Sequence, residues 1–299
     1  MKGVIPIAES PFPNELRMKD IFFPTDVREG LFSFGMHEDS QVERPTDRID
    51  KLRMGCSIGR ENSGYSGTLG PFVKLDTDAI GFITCAHVVG LDQSLFVNAN
   101  VVQPGDGDSL LALRTCGRIK YIEFDPDREV GIDAALVEVD TRRRSVEPTE
   151  FIWSYPGQIE EADFSPENHP SFRGGRIKTS IYFRDVENKI VIKCGKATGL
   201  TKGCLAVKGT MIKILTKPHP LHLPRGMNWK GKEHVVMKGQ YLVENMGYPF
   251  FTIGDSGAGV YLVEDGGSLC LIGLAIGMLN DYTVVTPIGP VLNSLQLNA

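Results

Sequence analysis

The chain has 299 residues, 41% of them hydrophobic and 23% charged, with a formal net charge of −5. A chain of this length buries roughly three quarters of its unfolded surface, and the composition is that of a globular protein rather than a disordered or fibrous one. The negative charge gives no general drive toward nucleic acid or an acidic membrane, and no apolar run reaches the about eighteen residues of a membrane-crossing helix, so neither partner is expected.

In chain order, residues 1–50 stand apart. They are rich in Pro, Asp, Glu and Arg, keep no sustained periodicity, and hold the clusters Phe22-Phe23-Pro24 and Leu31-Phe32-Ser33-Phe34. They read as an extension anchored by its aromatics, with a partly disordered tail as the equal alternative. The first ten residues make no secretory signal, because the apolar stretch is short and an acid follows at once. From Cys56 onward, short β-branched and aromatic runs alternate with Gly, Asp and Pro. Strands are expected over 72–75, 80–89, 118–124, 134–139, 178–183 and 189–193, and a hairpin over 260–264 and 269–276 about Asp265-Gly266-Gly267. A short helix is expected over 291–295, after Pro290. Many short strands at such spacing argue for an all-β sandwich or barrel.

Other segments read as connections. The stretch 154–170 carries proline and acids, as a linker would, and Arg142-Arg143-Arg144 before it reads as a solvated face. The stretch 213–238 holds Lys213, Lys217, Arg225, Lys230, Lys232 and Lys238 against the single acid Glu233. It is expected to be a basic, proline-rich loop suited to an acidic substrate or partner. Prolines at 218, 220 and 224 surround its His219 and His222, so no helix sets a ligand spacing, no carboxylate or thiol is nearby, and no metal site is expected.

Three islands carry chemistry. Thr84-Cys85-Ala86-His87, Ile132-Asp133-Ala134-Ala135-Leu136 and Gly254-Asp255-Ser256-Gly257 supply, in that order, a histidine, a carboxylate and a serine. A serine hydroxyl is a poor nucleophile at neutral pH and needs a base to take its proton. That base needs an acid partner to fix its tautomer and stabilise the imidazolium. Each island alone has a bland reading, as a strand end, an edge position or a tight turn; the conjunction is much more specific. An α/β-hydrolase is excluded, since it requires the order serine, acid, histidine and Gly-x-Ser-x-Gly, whereas Ala258 follows Gly257 here.

With this order and spacing the chain resembles the chymotrypsin-like (trypsin-like) serine endopeptidases, in a non-digestive, bacterial-type or intracellular branch, from about Gly55 to Leu295. The resemblance implies an all-β fold of two packed antiparallel six-stranded barrels with a short C-terminal helix: extension 1–50, first barrel 51–153, linker 154–175, second barrel and helix 176–299. It also implies His87 as general base, Asp133 as its orienting partner, Ser256 as nucleophile, and the N–H groups of Gly254 and Ser256 as oxyanion hole. The glycine- and threonine-punctuated run Gly195 to Gly203 is similar to the strand opening the second barrel. No Ile-Val-Gly-Gly-like activation sequence precedes the first barrel; bacterial-type relatives use an internal basic residue just ahead of this run instead, and the resemblance implies that Lys193, at the matching position, pairs with Asp255 and holds the site active without cleavage. The specificity pocket is expected from Phe250, Phe251, Ile253, Ala275, Gly277 and Thr283. It contains no acid, which disfavours Lys or Arg before the scissile bond and favours an apolar or small residue. Leu274 stands where Glu-specific relatives carry a histidine.

The expected substrate is a protein or peptide, with no cofactor. Cys56, Cys85, Cys116, Cys194, Cys204 and Cys270 are read as buried thiols in a reducing, cytoplasmic compartment, with disulfides as the weaker alternative; no Cys-x-x-Cys suggests zinc. Two rival functions remain from the residues alone: a protease-like binding module, and a latent precursor held inactive by residues 1–50.

Overall fold

The computed structural model describes residues 49–105, 115–152, 188–215, 234–264 and 268–297, together with the strand backbone of 15–18, 21–24, 32–34, 37–38 and 171–177. One compact unit ends at Leu31. In it β1 (Glu15–Met18) pairs antiparallel with β2 (Ile21–Pro24). The second unit begins at Phe32 and holds everything else. It starts with two short strands, β3 (Phe32–Phe34) and β4 (His37–Glu38).

Strand β5 (Lys51–Met54) lies outside the barrel sheet; the first barrel is built from β6 (Ser57–Arg60), β7 (Tyr65–Thr68), β8 (Phe72–Lys74), β9 (Ile80–Thr84), β10 (Asn100–Val102), β11 (Thr115–Asp125) and β12 (Ile132–Val139). The pairing runs β7-β6-β10-β11-β12-β9-β8. Its two ends, β7 and β8, are halves of one strand bent at Leu69-Gly70-Pro71, so the sheet closes on itself. The bend is bonded on both sides: Leu69 N donates to Cys56 O, Gly70 N to Ile83 O, and Ile83 N to Pro71 O. A side chain at Gly70 would strike the carbonyl oxygens of Gly257 and Ile83, which is why the bend carries glycine. Counted by ring position, six strands close the barrel, and β4 adds to its β7 edge. Inside lie Ile58, Phe82, Val101, Ile119, Ile122 and Val137.

After β12 the chain runs through β13 (Ser145–Phe151), parallel to β5, and β14 (Ser171–Ile177), parallel to β19 below. The second barrel comprises β15 (Ile190–Gly195), β16 (Gly199–Leu215), β17 (His234–Asn245), β18 (Gly259–Val263), β19 (Ser268–Leu279) and β20 (Tyr282–Pro287). These six form a closed ring, β19-β18-β15-β16-β17-β20, sealed by direct pairing of β20 with β19. The period-two alternation of a strand is visible along β18. Val260 and Leu262 point into the barrel core, while Tyr261 points out and meets Phe151 edge-on, with ring centroids 5.5 Å apart. A terminal helix, α3, spans Ile288–Ser294; two single-turn helices, α1 (Ala86–Val89) and α2 (Gln93–Phe96), follow β9. The architecture is the expected chymotrypsin-like double barrel.

Two apolar seams join the barrels. Ile212, Ile214, Val235 and Met237, on the long arm of β16 and β17, share a cluster with the first-barrel interior. Ile288, Val291, Leu292 and Leu295 of the terminal segment pack with Ile83, Ile132 and Ala134. Each fully buried aliphatic side chain contributes about 1.5–3 kcal/mol relative to exposure, so these seams hold the intervening cleft in fixed geometry.

Several local expectations are corrected. The strand expected over 80–89 stops at Thr84 and turns into α1. The run Gly195 to Gly203 is a hairpin rather than a strand, with Gly195 opposite Gly199. Lys213 and Lys238 lie on paired strands, so only 216–233 of the basic stretch connects them, and it lies outside the described residues. The terminal helix starts at Ile288, with Pro290 inside its first turn, where the missing N–H costs nothing. Arg144 is buried and donates to the carbonyls of Ile49 and Gln103. The strand expected over 178–183, residues 154–170 and the turn 265–267 fall outside the described residues.

Candidate active site

The first barrel presents His87 and Asp133. Strands β9 and β12 pair with Ala135 opposite Thr84, so the residue two before Ala135 lies beside the chain as it leaves β9. That residue is Asp133, and the segment leaving β9 is α1, which carries His87. Both carboxylate oxygens are used on the histidine: Oδ1 accepts from the backbone N–H of His87 at 3.1 Å, and Oδ2 pairs with the ring Nδ1. Both side chains are wholly buried. The imidazole is thereby fixed in orientation, with Nδ1 as the nitrogen facing the carboxylate and Nε2 as the other face of the ring.

The second barrel presents the Gly254-to-Gly257 turn. Gly254 and Gly257 take φ of 106° and 93°, a region that favours glycine. Within the turn, Asp255 N donates to Thr252 O and Gly257 N to Ala275 O. Among the described residues, the alternate N–H groups, those of Gly254 and Ser256, have no acceptor. Two backbone donors flanking the serine are therefore left for a ligand oxygen. The turn is docked across the cleft: Thr68 N donates to Ser256 O at 2.8 Å, and Thr68 Oγ1 donates to Gly254 O at 2.9 Å. A side chain at Gly257 would meet Thr84 and the Cys85 backbone, two residues from His87.

Asp255 anchors the turn from below. Lys193 Nζ lies 2.9 Å from its Oδ2, and both side chains are 0% exposed. The carboxylate also accepts from Thr198 Oγ1 at 2.7 Å and from the N–H groups of Ala197, Thr198 and Thr252 at 3.0–3.2 Å. Lys193 Nζ in turn donates to Thr198 Oγ1 and sits 5.4 Å from the centroid of the Phe250 ring. The β15–β16 hairpin thus wraps the carboxylate. A side chain at Gly195 would overlap it, so only glycine fits there.

Ser256 has one further partner that the sequence did not signal. Ser256 Oγ donates to Ile276 O at 3.3 Å. Ile276 is the extra residue of a bulge: in the β19–β20 ladder Ala275 opposes Val285 and Gly277 opposes Val284. A bulge turns its residue out of the ladder, and here it frees the Ile276 carbonyl for the serine. Thr68, Thr198 and Ile276 are the residues missed; each works through a contact made by cross-strand register, which no local motif encodes. Of the expected pocket residues, Ala275 and Gly277 flank that bulge. Phe250 and Phe251 are sunk in the second-barrel core with Val243 and Val260, Thr283 is buried on β20, and Ile253 is 41% exposed beside the turn.

Cys85, His87 and Asp133 offer ligand atoms within 4.8 Å of one another. Burial first, and the charge of Asp133 second, push the Cys85 thiol well above its ordinary range, and its Sγ donates to Ala275 O. A protonated thiol is a poor metal ligand, so the trio reads as a hydrogen-bonded cluster. All six cysteines are free thiols.

Two closed six-stranded barrels packed together define a chymotrypsin-like fold. Comparison of the sequence with protein-family models and with curated proteins gives no match. Among solved structures, the chain is similar to protease A of Thermobifida fusca, with 14% identity, 82% of this chain and 96% of that one covered, and a TM-score of 0.46. It is also similar to the chymotrypsin of Cellulomonas bogoriensis (15%, 82% and 96%, 0.47) and to a glutamic-acid-specific serine protease (14%, 82% and 98%, 0.47). The fold assignment rests on the chain's own strand pairing.

Proposed function

We propose that this chain is a serine endopeptidase, with Ser256 as nucleophile, His87 as general base and acid, and Asp133 as the group that orients the imidazole. The observation that carries the reading is the turn at Ser256. Among the described residues the N–H groups of Gly254 and Ser256 have no acceptor, while the N–H groups of Asp255 and Gly257 and the carbonyls of Gly254, Asp255 and Ser256 are all bonded. Such donors contribute most when negative charge develops on a substrate oxygen, because they are already oriented in a site closed to water. The catalytic sequence needs one rearrangement: Ser256 Oγ leaves Ile276 O by rotation about its single side-chain bond and turns to His87 Nε2. His87 then takes the hydroxyl proton as Oγ adds to the scissile carbonyl, and Asp133 stabilises the imidazolium. The Lys193–Asp255 pair supports a hole that stands formed in the uncut chain.

The substrate class in this reading is a protein or peptide with an apolar or small residue before the scissile bond. The absence of any acid among Phe250, Phe251, Ile253, Ala275, Gly277 and Thr283 supports that preference. Six free thiols support action in a reducing, cytoplasmic compartment, in a regulatory rather than digestive role. The deciding experiment is labelling of the full-length protein with a fluorophosphonate probe beside Ser256→Ala. Labelling of the wild type that vanishes in the variant is expected; equal labelling of both, or of neither, would overturn the assignment.

A further inference from the structure

The reading of Ser256 as nucleophile leads to a substrate within the chain itself. Strand β3 pairs antiparallel with β19 on the second barrel, Phe34 opposite Gly277, Ser33 opposite Met278 and Phe32 opposite Leu279. Three residues after β3 ends, β4 pairs antiparallel with β7 on the first barrel, His37 opposite Ser66 and Glu38 opposite Tyr65. The same short stretch of chain is therefore held first by one barrel and then by the other.

Both partner strands lead directly to Ser256. On β19, the residue before Gly277 is Ile276, whose carbonyl accepts from Ser256 Oγ at 3.3 Å. On β7, two residues beyond Ser66, Thr68 N donates to Ser256 O at 2.8 Å. Between them, a side chain at Gly67 would lie 2.9 Å from Ser256 O. From Phe34 to His37 the chain has three peptide steps, which span at most about 11 Å. A link that short joins an anchor at Gly277 to one at Ser66, on two strands that both lead to Ser256. The residues of the link are Gly35 and Met36. The Gly35–Met36 bond is thus the midpoint of the link, one residue in from each paired strand.

We propose that the chain is its own substrate and that Ser256 cleaves the Gly35–Met36 bond within the same molecule. The polarity is the productive one: the chain approaches along β19 with its carboxyl side toward Ser256 and leaves along β7. Backbone pairing on both sides supplies the positioning that turns a bimolecular attack into a unimolecular one. Glycine on the acyl side agrees with the small residue that an acid-free pocket favours. Ser256 Oγ adds to the Gly35 carbonyl carbon as His87 takes its proton, and the resulting oxyanion accepts from the Gly254 and Ser256 N–H groups. The C–N bond then breaks and His87 returns the proton to the Met36 nitrogen. One water hydrolyses the acyl ester, giving a carboxylate at Gly35 and restoring the Ser256 hydroxyl. Until that step, β3 and β4 hold the edges of β19 and β7 that lead to Ser256, so cleavage is also what frees them for other substrates.

The test follows the intact mass of the full-length protein over time, with fluorophosphonate labelling in parallel, for wild type, Ser256→Ala and Met36→Pro. The proline variant keeps the triad and makes the scissile bond a tertiary amide whose leaving nitrogen is constrained in a ring. Wild type is expected to convert to residues 1–35 and 36–299 at a first-order rate that is unchanged by a hundredfold dilution. Both variants are expected to remain whole. A wild type that takes the label at Ser256 yet stays whole overturns the self-cleavage and leaves the serine assignment standing. Cleavage at another bond, cleavage that persists in Ser256→Ala or Met36→Pro, or a rate proportional to concentration also overturns it. A wild type that is neither labelled nor cut removes both readings.

Discussion

The charge buried beneath Ser256 is the feature on which the geometry of the site depends. Lys193 and Asp255 are both withdrawn completely from solvent. Taking two ions out of water costs several kcal/mol each, and only close pairing with further hydrogen bonds offsets that cost. The offset is visible in the donors around Asp255: Lys193 Nζ, Thr198 Oγ1 and three backbone N–H groups. Lys193→Met removes the cation and leaves the carboxylate buried, which typically destabilises by about 3–5 kcal/mol. An exposed strand lysine, by contrast, would move stability by no more than about 0.5 kcal/mol. Urea denaturation of the variant separates these values cleanly. Peptidase turnover should fall together with stability, because the same carboxylate fixes the N–H groups on either side of it. A Lys193→Met protein with wild-type stability and turnover would show that the turn holds its shape without the pair.

The elements contribute by crossing the cleft, and β7 does this most directly. Thr68 is wholly buried, and its Oγ1 donates to Gly254 O while accepting from Lys196 N at 3.0 Å. One hydroxyl therefore ties the oxyanion turn to the β15–β16 hairpin and both to the first barrel. Thr68→Val keeps the shape and deletes the hydroxyl, leaving a buried carbonyl and a buried N–H unsatisfied, at about 1–3 kcal/mol for each group. The transition state should suffer more than the bound substrate, since the Gly254 N–H matters most once charge has developed. A fall in kcat of about tenfold or more with KM little changed is the expected signature, tenfold being 1.36 kcal/mol of barrier. Steady-state kinetics on a peptide ester would test it; a rise in KM alone would place Thr68 in substrate binding instead. The sequence carried no sign of this residue. Thr68 and Gly254 are 186 positions apart, and their contact exists only once both barrels have closed. The same holds for Ile276, whose role follows from a one-residue bulge, and for Arg144, whose partners are backbone carbonyls at Ile49 and Gln103. What was legible was local: the three chemical islands, the lysine two residues before Gly195, and the punctuation of short strands. Strands β3 and β4 were not legible, because two or three residues pairing through backbone alone leave no alternation in side chains.

At the scale of the molecule, the two barrels close on an interior that holds thiols, and this gives stability a direction in pH. Burial pushes Cys56 from an ordinary value of 9.0 up to about 11, and Cys116 and Cys194 up to about 12. The nearby cations, Arg53 and Arg144 for Cys56, Arg144 for Cys116 and Lys193 for Cys194, oppose the shift without cancelling it. Below pH 9 these thiols are protonated in both folded and unfolded chains, so their contribution is fully present. Above pH 9 the unfolded chain releases protons that the folded chain keeps, and stability falls until the folded thiols also titrate, near pH 11–12. The slope approaches 1.36 kcal/mol per pH unit for each thiol. By pH 10 the three together should have removed about 4 kcal/mol, a large share of the roughly 5–15 kcal/mol that a folded domain possesses. Tyr261, buried against Phe151 and Met54, is shifted upward by the same cause and extends the trend. Urea midpoints measured from pH 7 to pH 10 should therefore stay level up to about pH 8.5 and then drop. The drop should be shallower in Cys116→Ala once its own lower baseline at pH 7 is subtracted, because one fewer proton is then held by the fold. A wild-type midpoint that is flat to pH 10 would mean that water or a counter-charge reaches these thiols, and that the closed barrels are less dry than their packing requires.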